Sequence, residues 1–199
     1  MQPQDSVSLC PKDDPTPISS QHRQFMQAAL DQARLAYAKG EVPIGAVAVY
    51  QGQVIAQGHN CKESERDPTA HAEMIALREA ARFRGGWRLL GVTLYCTMEP
   101  CPMCAGAMIQ ARLPRLVFAV DDPKAGAAGS IVDVVQNARL NHQGEVIRGV
   151  MAQEAASMLD EFFRALRSGD LERYSQVPKE RRFAQNDGSV YNMVSGEVA

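Results

Sequence analysis

The sequence lacks any apolar segment long enough to cross a membrane. Of its 199 residues, 45% are hydrophobic and 22% are charged, which is typical of a globular protein, and no apolar run approaches the ~18 residues of a membrane span. The first residues, MQPQDSVSLCPKDDPTP, have neither the basic nor the apolar region of a secretory signal. We therefore expect no membrane contact and a cytoplasmic location, where thiols stay reduced.

The sequence also lacks an excess of positive charge and the even set of cysteines that a disulfide framework requires. The formal net charge is −2, so the whole-chain charge does not predict a nucleic-acid partner, although a local basic face would be enough for one. The five cysteines are an odd number in a chain of this size, which argues against a set of disulfides. A reduced Cys-x-x-Cys pair is instead typical of a metal half-site or a redox pair.

No internal repeat is visible, and composition divides the chain into three parts. Residues 1–18 are polar and rich in proline, which predicts a disordered lead-in. Residues 19–169 carry regular strand and helix patterns and predict one domain. Residues 170–199 are polar and aperiodic, which predicts a mobile tail.

The central part of the chain predicts an α/β fold. It opens with a helix from Ser19 and a hairpin over residues 42–60 with Gly52 in the turn,. Buried strands then alternate with helices: strands at 92–98, 116–120 and 144–150, and helices at 70–83, 101–112 and 154–168. This order indicates a three-layer sandwich, in which helices flank a mixed five-stranded sheet.

Two short motifs at predicted helix starts indicate a catalytic metal site. Cys101 and Cys104 follow Pro100, where the helix dipole and free backbone N–H groups stabilise thiolates. A redox pair is the alternative, but the HAE motif at 71–73 supplies His71, the imidazole that two thiolates lack for a zinc site,. Three protein ligands leave the fourth tetrahedral position to water, whose pKa zinc brings near neutrality.

Glu73 completes the set that hydrolysis needs. A carboxylate beside the activated water can take its proton and pass it to a leaving group. Either motif alone is weak, but the joint pattern H-x-E…P-C-x-x-C is that of zinc deaminases of nucleobases. The remaining cysteines, Cys10, Cys61 and Cys96, have no predicted role.

From about Phe25 to Leu166, the sequence resembles the bacterial tRNA-specific adenosine deaminases. The segments that carry the resemblance are VPIGAVAV, GHN, DPTAHAEMIALREA, TLYCTMEPCPMCAGAMIQAR, DDPKAGAAGS, LNH and DEFFRALR. The resemblance implies a cytidine deaminase-like fold, a homodimer and one zinc ion per chain. It also implies hydrolysis of adenosine to inosine at the wobble position of a tRNA, with the anticodon stem-loop as the binding partner.

The resemblance assigns roles to individual residues. His71, Cys101 and Cys104 correspond to the zinc ligands, and Glu73 corresponds to the proton shuttle. Asn60 corresponds to the asparagine that contacts the flipped base. Contacts with RNA are implied for a further group: Asp122, Lys124, Phe162, Phe163 and Arg164.

Three positions depart from the family pattern, and all lie in segments implied to meet the substrate. Asp121 stands where a basic or neutral residue is usual, Ala125 where many relatives have threonine, and His59 where an aromatic residue is common. These departures bear on the contacts with flanking nucleotides and leave the chemistry intact.

The predicted last helix has two features that bear on RNA binding. Phe162 and Phe163 point about 100° apart on a helix, so we expect one in the core and the other at a surface. Residues 164–182 hold six basic and three acidic residues, a local net charge of +3. Within this stretch, Arg164 and Arg167 lie on the helix and are the stronger candidates for phosphate contacts.

Two other functions are compatible with the zinc motifs. A zinc deaminase of free cytosine, cytidine or guanine would share the metal site, but segments 121–130 and 160–167 resemble the tRNA enzymes. A non-enzymatic, zinc-stabilised partner subunit would typically lack the proton shuttle, and Glu73 is present.

Overall fold

The computed structural model describes residues 20–171. The lead-in predicted for residues 1–18 lies outside this range, as does nearly all of the tail predicted for 170–199. Within it, no helix combines the length and hydropathy that a membrane span requires. The elements are α1 Ser20–Ala38, β1 Gly45–Tyr50, β2 Gln53–His59, α2 Lys62–Glu65, α3 Ala72–Arg84, β3 Val92–Met98, α4 Pro102–Gln110, β4 Arg115–Val120, β5 Glu145–Arg148 and α5 Ala152–Ser168.

The strands form the mixed five-stranded sheet that the sequence predicts. Their order is β2-β1-β3-β4-β5. Strand β1 is antiparallel to both β2 and β3, whereas β3, β4 and β5 are parallel. Strands β2, β3, β4 and β5 therefore run in one direction, opposite to β1. Their carboxyl ends meet at one edge of the sheet. We call this the carboxyl edge; it is the edge at which α/β proteins usually bind ligands.

Helices cover both faces of the sheet, because successive strand residues point to opposite faces. In β3, Leu94 and Cys96 pack with α3 and α4, whose contacting residues are mostly small. Tyr95 points to the other face, where it packs with Phe25 of α1 and Ala155 of α5. The result is the predicted three-layer arrangement.

The opening hairpin and the approach of α3 depend on two glycines. Gln51 and Gly52 form the turn with φ values of 49° and 77°, and glycine adopts such positive φ values at little cost. At Gly58 in β2, an added Cβ would lie 2.5 Å from the carbonyl oxygen of Ala72. The absence of a side chain there lets the first turn of α3 pack directly on β2, beside the carboxyl edge.

The structure adds one element that the sequence analysis did not predict. The four-residue helix α2 follows β2 and ends at Glu65, and its C-cap residue Arg66 has a φ of 53°. The predicted strand at 144–150 is shorter, Glu145–Arg148, and α5 begins at Ala152, two residues earlier than predicted.

Candidate active site

The carboxyl edge brings together His71, Cys101 and Cys104. The Nδ1 atom of His71 lies 3.8 Å from the sulfur of Cys101 and 3.6 Å from that of Cys104. The two sulfurs are 3.7 Å apart. Around a tetrahedral zinc ion, the usual Zn–S and Zn–N lengths require separations of about 3.6 Å between nitrogen and sulfur and about 3.8 Å between sulfurs. The three side chains therefore fit zinc without rearrangement.

Two helix starts position these ligands. His71 is the N-cap of α3 and Cys101 is the N-cap of α4, both with extended backbone and neither with a side-chain hydrogen bond to its own helix. Their side chains are thus directed to each other instead of capping. Pro102 occupies the first position of α4, where its fixed φ suits the helix start. The positive end of the α4 dipole favours thiolate at Cys101 and Cys104.

The protonation of the metal-free cluster follows from these contacts. The hydrogen bond between the two sulfurs, with a further one from His71, lowers the pKa of Cys101 to about 3. The same sulfur–sulfur bond and burial raise the pKa of Cys104. The hydrogen bond with Cys101 raises the pKa of His71. A metal ion that binds here must displace the proton on Cys104 and competes with protons for His71, so its affinity rises with pH.

Glu73 lies in the first turn of α3 and is only 4% exposed. Burial raises the pKa of its carboxyl group, against the influence of the nearby His71. A buried carboxyl group two residues from a ligand can hold a proton and release it nearby. This is the property that a group passing a proton from water to a leaving amine requires.

Asn60 follows β2 at the same edge and is 3% exposed. Its side-chain amide donates a 3.3 Å hydrogen bond to Glu41, and its backbone N–H donates to the carbonyl oxygen of Ile44. Glu41 also accepts a 2.7 Å hydrogen bond from the backbone N–H of Ser64. The Glu41 carboxylate therefore fixes the orientation of the Asn60 amide. The sequence analysis missed Glu41, which is 1% exposed and does not belong to a recognisable motif.

Residues 121–130 form the loop that leaves β4 at the carboxyl edge. Asp122 accepts hydrogen bonds from the backbone N–H groups of Lys124 and Ala125, at 2.9 and 3.2 Å. Its carboxylate thus shapes the loop, while the side chain of Lys124 is exposed. Asp121 is exposed as well.

The two phenylalanines of α5 divide as the sequence predicts. Phe162 is 0% exposed and packs edge-to-face on Tyr37, with ring centroids 5.6 Å apart. Phe163 is 39% exposed. The burial of Phe162 leaves its ring no access to RNA, which does not support the direct contact predicted for it. Its place is in the core, and the exposed candidates on this helix are Phe163, Arg164 and Arg167.

A cavity of about 430 Å³ separates α5 from the 121–130 loop. Its walls combine apolar and charged side chains, among them Met98, Val120, Asp122, Lys124, Leu159 and Phe163. The structure therefore brings three of the predicted RNA contacts, Asp122, Lys124 and Phe163, around one depression at the carboxyl edge.

His59 ends β2 at this edge and lies 2.8 Å from the ammonium group of Lys39, measured to Nε2. Burial and the charge of Lys39 lower the pKa of His59.

Comparison with known proteins agrees with this site. Residues 20–167 match the family model described as MafB19-like deaminase. A tRNA-specific adenosine deaminase of Bacillus subtilis (strain 168) is 49% identical over 148 residues, which cover 74% of this chain and 92% of that protein. The chain belongs to the tRNA-specific adenosine deaminase family. A family member from Haemophilus influenzae is 46% identical over 144 residues, 72% of this chain and 83% of that protein.

Solved structures confirm the cytidine deaminase-like fold. One comes from biochemical and structural work on A-to-I editing by tRNA:A34 deaminases at the wobble position of transfer RNA. It is 43% identical, with a TM-score of 0.66, and the match covers 68% of this chain and 99% of that one. A protein solved in complex with 2,6-diaminopurine is 26% identical with a TM-score of 0.60, over 70% of this chain and 80% of that chain. The family and fold predicted from the sequence are both confirmed.

Proposed function

We propose that this chain is a zinc-dependent deaminase that converts adenosine to inosine at the wobble position of a tRNA anticodon. The observation that carries the proposal is the tetrahedral spacing of His71, Cys101 and Cys104 with a buried Glu73 beside them. The relatives named as tRNA-specific adenosine deaminases support the choice of substrate.

His71, Cys101 and Cys104 would hold one zinc ion per chain. When bound there, zinc supplies a water activated for attack near neutral pH. Glu73 takes a proton from the attacking water and delivers it to the amino group that leaves C6 of adenine as ammonia. Its burial suits both transfers, because the carboxyl group is held among the ligands and away from bulk solvent.

Asn60 holds the edge of the flipped base in this proposal. Glu41 accepts from its amide nitrogen, so the rest of the amide group is free to face the base in one orientation. A fixed orientation matters, because proximity and alignment of the reacting groups contribute much of the rate enhancement in enzymes.

In this proposal, the RNA outside the base is contacted by Asp122, Lys124 and Phe163, which line the cavity between α5 and the 121–130 loop. Arg164, which is exposed next to Phe163 on α5, adds a further contact. Specific RNA recognition usually splays bases out of single-stranded loops and stacks them on aromatic side chains, which an exposed Phe163 allows. A homodimer and a cytoplasmic location remain predictions that accompany a tRNA substrate.

Deamination of a free base or nucleoside is the second candidate. The solved protein with 2,6-diaminopurine bound shares the fold at 26% identity, so a purine can occupy a site on this scaffold. The two candidates differ in whether contacts outside the base are needed for turnover.

The decisive experiment compares the wild type with Glu73→Gln on an anticodon stem-loop and on free adenosine, with inosine measured by mass spectrometry. We expect the wild type to use the stem-loop far better than adenosine. Glu73→Gln should keep zinc and stem-loop binding but lose turnover by at least ~10²–10⁴-fold, the typical contribution of general acid–base catalysis. Glu79→Gln, an exposed glutamate on the same helix, is the matched control.

Two outcomes would contradict the proposal. Near wild-type turnover by Glu73→Gln would require another group to move the proton. Equal turnover of adenosine and the stem-loop by the wild type would favour the free-nucleoside enzyme.

A further inference from the structure

Glu99 is a buried carboxylate that the chemistry above does not use. It follows β3 directly and is 3% exposed. Its Oε2 atom accepts a 3.0 Å hydrogen bond from the backbone N–H of Asp122. Its Oε1 atom accepts 2.8 and 3.1 Å hydrogen bonds from the backbone N–H groups of Ala128 and Ser130. Three donors distributed along the 121–130 loop therefore converge on one carboxylate.

Close packing and a second hydrogen bond hold the loop against this carboxylate. At Gly126, an added Cβ would lie 2.3 Å from Oε2 of Glu99, so any side chain there would displace the carboxylate. From the outer side of the loop, Arg148 donates a 2.9 Å hydrogen bond to the carbonyl oxygen of Ala128. Ala128 is thus held at its N–H by Glu99 and at its carbonyl by Arg148.

The segment that carries Glu99 also carries a metal ligand. Cys101 is two residues further along the chain. The backbone N–H of Glu99 bonds to the carbonyl oxygen of Val120, and the N–H of Ala127 bonds to that of Pro100, at 2.8 and 2.9 Å. The loop is therefore attached to the metal cluster through residues 99–101.

The energetics favour a fixed loop. Burying a carboxylate is costly unless hydrogen bonds compensate it, and bonds to a charged acceptor are shorter and about twice as strong as neutral ones. The backbone of the loop is consequently set by a group inside the protein. The ammonium group of Lys124 lies at the exposed surface of the loop, where it can reach a ligand.

We propose that Glu99 is a positioning residue: it holds the 121–130 loop at a set distance from the metal cluster, so that RNA around the target base is bound in register with the catalytic groups. The inference rests on the proposed tRNA substrate. It makes Glu99 a determinant of the use of structured RNA, with no direct part in the chemistry at C6.

The test is Glu99→Gln, which has nearly the same shape. Its amide offers one acceptor oxygen where the carboxylate offers two, and its NH₂ group faces backbone N–H donors. We expect the KM for the anticodon stem-loop to rise roughly tenfold, the effect of losing about one hydrogen bond to a charged group. The kcat should change less than about twofold, and zinc content should be unchanged. Glu145→Gln, an exposed glutamate paired with Arg115 at the opposite edge, is the matched control.

A second variant acts on the loop without touching residues 99–101. Arg148→Met removes the hydrogen bond to the carbonyl oxygen of Ala128 and should raise the same KM by a smaller factor. Because both residues act through Ala128, the double variant should show less than the product of the two single effects. If Glu99→Gln fails to fold, the KM effect of Arg148→Met decides the proposal.

Hydrogen exchange separates this inference from the proposed substrate. In Glu99→Gln, the amides of Asp122, Ala128 and Ser130 should exchange faster than in the wild type, whatever the enzyme acts on. Unchanged protection of these amides would overturn the inference. So would a loss of zinc and of kcat with an unchanged KM, because that pattern would assign Glu99 to the support of the metal site alone.

Discussion

The metal cluster and the 121–130 loop meet at the same edge of the sheet but are built in opposite ways. In the cluster, side chains point inward to one centre: Cys104 is completely buried, and Glu73 nearly so. In the loop, the backbone points inward to Glu99, while the side chain of Lys124 extends into solvent. Under the proposed function, the protein fixes side-chain atoms where bonds are to be broken and fixes the backbone where the RNA is to be bound.

This difference predicts two kinds of response to mutation. A catalytic site depends on reacting atoms held within a few tenths of an ångström. The loss of one of its side-chain groups should therefore abolish metal binding or turnover. Exposed charges that contact phosphate act independently and are screened by salt. Their removal should produce graded effects.

The largest effect is expected for Cys104→Ala. The variant removes one of the three proposed metal ligands from a buried site, so bound zinc should fall to a small fraction of one ion per chain. Metal binding to such sites is coupled to folding, so the variant should also unfold at a lower temperature. Metal analysis by mass spectrometry and thermal unfolding with and without added zinc measure both quantities.

Cys96→Ala is the matched control, because Cys96 is also 0% exposed but lies outside the ligand cluster. It should lose stability through the cavity that it creates while keeping its zinc. Full zinc occupancy in Cys104→Ala would remove Cys104 from the ligand set.

The two phenylalanines of α5 should separate stability from RNA binding. Phe162→Ala removes a fully buried ring and should lower the free energy of unfolding by about 3–5 kcal/mol. Phe163→Ala should lower it by less than about 1 kcal/mol, because much of the ring is already in water, yet weaken stem-loop binding by about 1–3 kcal/mol if a base stacks on it. Urea denaturation measures the free energy of unfolding of each variant, and a titration with the stem-loop measures its binding free energy. Equal destabilisation by both variants would contradict the division.

The two phenylalanines show which part of the structure sequence patterns can predict and which part they cannot. Helical geometry predicts that neighbouring residues point in different directions, which gives the division between Phe162 and Phe163 but not the assignment. The assignment depends on Tyr37 of α1, which packs on Phe162 and is far away in the sequence. Strand β3, whose apolar run is a local signal, was predicted with its observed bounds, and β4 was predicted to within one residue.

The residues that the sequence analysis missed are buried acids. Glu99 contacts backbone groups 23–31 residues away, and Glu41 contacts Asn60 and Ser64 across a complete hairpin. Their partners are backbone N–H groups and an amide, which every sequence contains, so no residue pattern marks them. The clustering of His71, Cys101 and Cys104, in contrast, was predictable because the chemistry of zinc restricts both the residue types and their spacing.

A moderate effect is expected for the paired replacement of Arg164 and Arg167 by alanine. Both are exposed on α5. Each phosphate contact contributes a slope of about −0.7 to log affinity against log salt for single strands, so the loss of two contacts should flatten that slope by about 1.4. Stem-loop binding titrated over a range of salt concentrations measures it, and zinc content should be unchanged.

Arg82→Ala is the control for this pair. Arg82 is an exposed arginine on α3, and within residues 20–171 it forms an ion pair with Glu79 alone. It should leave the salt dependence unaltered. A salt slope for the double variant equal to that of the wild type would exclude α5 from the RNA-binding surface and would leave the 121–130 loop as the main contact.

The smallest effect concerns His22, which lies on α1 near the edge of the sheet opposite the active site. Its Nδ1 atom is 2.9 Å from the hydroxyl group of Tyr95. Burial and the charge of Arg115 lower the pKa of His22, with Glu145 acting in the opposite sense. Because the unfolded chain then binds the proton more tightly, stability is fully present above the unfolded pKa of about 6.5 and decreases as pH falls below it.

His22→Gln should therefore flatten the decline of unfolding free energy between about pH 7.5 and 5.5, as measured by urea denaturation at several pH values. Zinc release at low pH also destabilises the protein, but it affects both proteins equally and cancels in their difference. Since His22 is remote from the carboxyl edge, kcat and KM for the stem-loop at pH 7.5 should match the wild type. A steeper decline in the variant would reverse the sign of this contribution, and a changed kcat would show that the edge opposite the metal cluster is coupled to catalysis.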